Sequence, residues 1–67
     1  MTNKEFMSLT YGDTIIHTDT GLRSWIDSAL VKIPNRCYKG YFIRSYERPE
    51  GGWNVIGEHN YSMFSKA

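Results

Sequence analysis

The stretch CYKGYFIRSYERPEGGW, residues 37–53, decides how this chain is read. A long run of aromatic and β-branched residues leads into Arg48-Pro49-Glu50-Gly51, and a second run follows it from Gly52 to about His59. Proline presets φ at the second position of a β-turn and glycine lets the chain leave in a left-handed or bulged conformation, so the pattern predicts an antiparallel hairpin. Closed on those four residues, the hairpin sets Tyr46 opposite Trp53, Arg44 opposite Val55 and Phe42 opposite Gly57. Strand side chains alternate between faces. Tyr38, Phe42, Arg44, Tyr46, Trp53 and Val55 therefore share one side, and Tyr41, Ile43, Ile56 and Glu58 share the other.

Both sides carry large apolar groups, whereas a sheet with one wet face reads apolar inward and polar outward. Either both faces are covered or one is a docking surface. If Tyr41, Ile43 and Ile56 are covered, the open face is Tyr38, Phe42, Arg44, Tyr46 and Trp53. The reverse assignment buries Phe42, Val55 and Trp53 and leaves Lys39, Tyr41, Ile43 and Glu58 outside. The pattern leaves both assignments open.

Upstream, Tyr11-Gly12-Asp13 signals a turn and Thr14–Thr18 is β-branched enough for a short strand. Leu22, Trp25, Ile26, Ala29, Leu30 and Ile33 then fall on one stripe of a 3.6-residue helix, which predicts a helix from about Thr20 to Lys32 with Trp25 largely buried. Asp19 or Thr20 is the candidate cap, and Pro34 is the stop. Residues 1–8 are expected to be loosely held, with Phe6 and Leu9 able to dock, and 65–67 likewise. Tyr61, Met63 and Phe64 suggest a last short strand or an apolar clasp. The resulting expectation is a single α+β domain, 1–67, ordered β-α-β-β, with one helix packed on an antiparallel sheet. Its alternative is a small SH3-like barrel with one helical insert, in which 52–64 closes on the first strand.

Size sets a limit on coverage. A chain of 67 residues buries only about 60% of its unfolded surface, which leaves a thin core. The single cysteine, Cys37, excludes an internal disulfide. With no signal peptide and no apolar run near the roughly 20 residues of a membrane span, the expected setting is reducing and cytoplasmic, without membrane contact. Net charge is +1 and the pI is about 7.9. Its distribution is uneven: Val31–Arg48 holds five cations against one anion, while both flanks are mildly acidic.

Enzyme chemistry is the least favoured class, and no cofactor is expected. Nucleophilic catalysis would have to combine Cys37 with His17 or His59 and an acid such as Asp13, and nothing in the spacing supports it. A lone cysteine opening a strand is ordinarily a small buried hydrophobe. One cysteine and two histidines so far apart lack the paired spacing of a structural zinc site. Glu47 and Glu50 lie in the turn, where solvated charge is the ordinary reading. Gly51-Gly52 is followed by no helix and is not a phosphate loop.

Two binding classes remain. Aromatics interleaved with Lys39, Arg44, Arg36 and Arg48 can stack bases and neutralise phosphates, but nucleic-acid domains generally show a pI above 9. Tyr, Trp, Met and Arg are also the residues of protein-interface hot spots, which makes a non-enzymatic protein-binding module the preferred expectation. Small bacterial and bacteriophage-encoded modulators or inhibitors of a host protein share this size and composition, and a homodimer that covers its own aromatic face is the structural version of the same idea. The residues expected to meet the partner are Tyr38, Phe42, Arg44, Tyr46, Arg48 and Trp53.

Overall fold

The computed structural model describes residues 1–67. The chain begins with helix α1, Asn3–Met7, within the segment expected to be loosely held. Thr2 and Glu5 form a reciprocal capping box: the Thr2 hydroxyl accepts from the Glu5 amide, and the Glu5 carboxylate accepts from the Thr2 amide. That start aims Phe6 inward, where it is almost wholly buried.

Six strands follow: β1 Thr14–His17, β2 Arg23–Ile26, β3 Val31–Lys32, β4 Lys39–Ser45, β5 Asn54–Gly57 and β6 Phe64–Lys66. Every pairing is antiparallel. Strand β4 is the spine, bearing β5 along one edge and β2 and β3 in succession along the other; β1 pairs β2, and β6 pairs β1. The sheet is open, so the expected alternative of a closed SH3-like barrel does not hold. The α+β expectation holds only loosely, because the one helix is short and lies at the N-terminal end.

The expected helix over 20–32 is not formed. Thr18–Gly21 makes a turn instead, in which the Gly21 amide donates to the His17 carbonyl at 2.7 Å and Gly21 takes a φ of +73°. That left-handed conformation suits glycine and reverses the chain directly into β2. Ile26 then points into the core and Trp25 away from it, half-buried rather than largely buried. The apolar spacing that fits a helix is shared here between a strand, a loop and a second short strand. Ser28 ends β2's run beside β4, because its hydroxyl accepts from the Phe42 amide in place of a backbone carbonyl.

The hairpin of β4 and β5 exists, but in another register. Gly40, Tyr41, Phe42 and Ile43 pair with Gly57, Ile56, Val55 and Asn54. The connection runs through a 3-10 turn at Pro49–Gly51 and is longer than a four-residue turn, which moves each partner by two positions. A shift of two keeps every side chain on its face. The faces therefore match the expectation while the pairs do not.

The core is Phe6, Leu9, Ile15, Ile26, Tyr41, Ile43, Ile56 and Phe64. It settles the choice between the two hairpin faces: Tyr41, Ile43 and Ile56 are covered, clustered with Phe6 of α1, Leu9, Ile15, Ile26 and Phe64. The Tyr41 hydroxyl donates to the Phe6 carbonyl at 2.8 Å, and the Phe6 ring meets Tyr41 edge-on and Tyr61 face-on. Phe64, in the expected C-terminal strand, completes the cluster. At Gly40 any side chain would strike the Ile56 carbonyl, so glycine is what lets β4 and β5 approach there. Cys37, expected to be a small buried hydrophobe, is exposed. No helix is long and apolar enough to cross a membrane.

Candidate functional site

The uncovered face of the sheet holds the aromatic and basic cluster, organised around Asp27 at the end of β2. The Trp53 indole Nε1–H donates to Asp27 Oδ2 at 2.6 Å, and Arg44 Nε donates to the same oxygen at 2.9 Å. Arg44 Nη1 donates to the Pro49 carbonyl at 2.7 Å, and the guanidinium carbon lies 4.6 Å from the Trp53 ring centroid. One arginine thus ties the end of β2, the long connection and the indole together. Phe42 sits beside the indole with ring centroids 6.1 Å apart. The indole hydrogen bond holds the Asp27 carboxyl below the usual aspartate range, and Arg44 adds to this against the opposing effect of partial desolvation.

Next to this knot is a second one. Tyr46 packs on Trp25 with centroids 4.9 Å apart, Arg23 stands 5.5 Å over the Tyr46 ring, and the Tyr46 hydroxyl is 2.9 Å from Thr14 Oγ1. Register explains the arrangement. Thr14, Trp25 and Arg44 are successive cross-strand partners, and continuing the β4–β5 pairing by one position sets Trp53 beside Arg44. The expected Tyr46–Trp53 pair is replaced by two pairs, Arg44 with Trp53 and Tyr46 with Trp25.

Of the six residues singled out from sequence, Phe42, Arg44, Tyr46 and Trp53 come together on this face. Tyr38 does not join them: it lies at the far end of the hairpin, half-buried over Gly57 and packed against His59. Arg48 is exposed in the connection and lines a cleft on the core side of the sheet. Sequence reasoning missed Thr14, Arg23, Trp25 and Asp27, all supplied by the β1–β2 hairpin. The available signal was the alternation of Arg23, Trp25 and Asp27 with Ser24 and Ile26, a period of two beneath the period of 3.6.

Among the aromatic side chains of this cluster Trp53 is the most exposed, at 61% accessible, and Tyr46 follows at 44%. Both are held in place although they face solvent. Compared with known proteins, the chain matches no family model, no curated sequence and no solved structure.

Proposed function

We propose that this chain is a small protein-binding module whose working surface is the uncovered face centred on Trp53 and Tyr46, acting as a modulator of the protein it docks on. The observation that carries the reading is the fixing of Trp53: an indole that is mostly exposed is nevertheless hydrogen-bonded by Asp27 and stacked by Arg44. An anchor already held in one rotamer loses little freedom on binding, and large rigid aromatics flanked by arginine are the usual hot spots of protein interfaces.

The same contacts weigh against base stacking. A stacking platform needs free ring faces, and here Arg44 lies over the Trp53 ring while Tyr46 is flanked by Trp25 and Arg23. Arg44 is also paired with the Asp27 carboxylate, whose charge offsets its attraction for phosphate.

The test is retention by immobilised protein. A polypeptide retained by the parent, released by Trp53→Ala with Tyr46→Ala, and unaffected by nuclease or moderate salt supports the reading. Equal retention by the double variant, or retention lost with nuclease and steeply with salt, overturns it in favour of another surface or of nucleic acid.

A further inference from the structure

On the core side of the sheet, between the β1–β2 turn and the β4–β5 connection, lies a cleft of about 410 Å³. It arises because the inward row changes character along the sheet. Ile26 and Ile43 are cross-strand partners in the core, but the next inward pair is Ser24 opposite Ser45. Two hydroxymethyl groups stand where two large apolar side chains would have continued the packing. The floor of the opening is Ile43 and Phe64, and its rim carries Trp53 and Leu22.

The polar lining is one-sided. His17, Thr20, Ser24, Ser45, Arg48 and Asn54 line the cleft, and no carboxylate does. Their donors are largely unclaimed. Arg48 belongs to no ion pair, the one in the protein being Arg44 with Asp27. Ser45 Oγ accepts from the Glu47 amide, which leaves its own proton to donate. Asn54 Oδ1 accepts from the Val55 amide, which leaves its amide nitrogen free. His17 meets Thr20 through Nδ1 alone.

We propose that this cleft is a binding site for a small phosphate monoester on an apolar body, with Arg48 holding the phosphate and the Ile43–Phe64 floor and Leu22 rim taking the body. The volume falls within the range of about 300–1,000 Å³ typical of small-molecule sites, which combine apolar walls with a few convergent polar groups. An unpaired arginine beside several hydroxyl and amide donors, without a competing acid, selects an oxyanion, and Arg pairs such groups through two parallel hydrogen bonds. Phosphate is preferred to carboxylate because its three terminal oxygens use more of the donor side chains lining the cleft. This site opens on the core side of the sheet, meets the proposed docking face only at the Trp53 edge, and does not rest on that reading.

The experiment is a titration of the intact chain with phenyl phosphate, followed through its backbone amide NMR signals, with phenol, inorganic phosphate and benzoate as comparison probes. The expected result is saturable shifts at Ser24, Ser45, Gly52 and Asn54, with phenyl phosphate binding more tightly than each comparison probe. Arg48→Gln should weaken phenyl phosphate by about tenfold or more, the effect of losing a charge-assisted hydrogen bond. Ser45→Leu should abolish binding by filling the cleft, and Arg48→Gln, a change at an exposed position, keeps the test valid should the leucine variant fail to fold. No saturation, shifts centred on Trp25 and Arg44, equal affinity for phenol or benzoate, or an Arg48→Gln variant that binds as the parent does would each overturn the proposal.

Discussion

Asp27 shows how much one side chain can organise on a surface. Its Oδ2 is the shared acceptor for Trp53 and Arg44, so the carboxylate decides whether the indole is held or loose. Because folding lowers the Asp27 pKa, the ionised form favours the folded arrangement. That contribution is fully present above the ordinary aspartate value of about 3.9 and is lost as pH falls through the lowered folded value. Trp53 fluorescence, read in a Trp25→Phe background, should therefore change with a midpoint below about 3.9 while far-UV dichroism remains native. An Asp27→Asn variant should lack that transition; a midpoint at or above the ordinary value would show that the carboxylate is not holding the indole. Tyr41 gives the opposite sign. Burial raises its phenol pKa, so its contribution is present below the ordinary tyrosine value of about 10 and is lost as pH rises through the higher folded value. Tyr41→Phe should flatten the alkaline unfolding curve. It should also cost about 1 kcal/mol at neutral pH, because the Phe6 carbonyl keeps the Leu9 amide but loses the phenol hydrogen bond, and urea melts at neutral and alkaline pH check both effects.

At the scale of elements, the discriminating position is Gly21. In a helix starting near Thr20, replacing glycine by alanine would stabilise the protein by up to about 1 kcal/mol. In the observed turn the same residue sits at a φ of +73°, where a side chain is strained. Gly21→Ala should therefore lower the urea midpoint, at a cost of about 1–2 kcal/mol; a raised midpoint would restore the helix. This position also shows why the segment was misread. Asp19-Thr20-Gly21 serves equally as a helix cap and as a hairpin turn, and Leu22, Trp25, Ile26, Leu30 and Ile33 satisfy a helical stripe by residue type alone. What decides between them is tertiary: as a strand the segment pairs with β1 on one side and β4 on the other, which residue type within the segment does not reveal. The β4–β5 hairpin was legible because its turn signal and alternation agree with each other. Its register was not, since a 3-10 turn at Pro49–Gly51 lengthens the connection in a way that residue preferences do not specify. Four members of the candidate site were thus readable from alternation in β4 and β5. Asp27, Trp25 and Arg23 stayed hidden behind the helical reading of their own segment.

At the scale of the whole molecule, the two faces of the sheet divide the aromatic residues by task. Phe6, Tyr41 and Phe64 are sealed in the core, whereas Trp53 and Tyr46 stand in solvent held by polar contacts. In so small a domain the total stability is only a few kcal/mol, so the loss of one sealed ring approaches the whole of it. Phe6→Ala should cost about 3–5 kcal/mol and leave the chain largely unfolded at room temperature, although Phe6 belongs to a helix of only five residues. Met7→Ala in the same helix, where the side chain is 54% exposed, should cost less than about 0.5 kcal/mol. The solvent-facing pair should behave in the opposite sense. Trp53→Ser and Tyr46→Ser should each cost less folding stability than Phe6→Ala, because Trp53 and Tyr46 already keep 61% and 44% of their surface in water, while together weakening a docked protein by at least about 2 kcal/mol. Paired thermal melts and binding isotherms on the two sets of variants check the division. If the solvent-facing double variant unfolds as Phe6→Ala does, the outer aromatics are part of the fold, and the face they cover is scaffold rather than a binding surface.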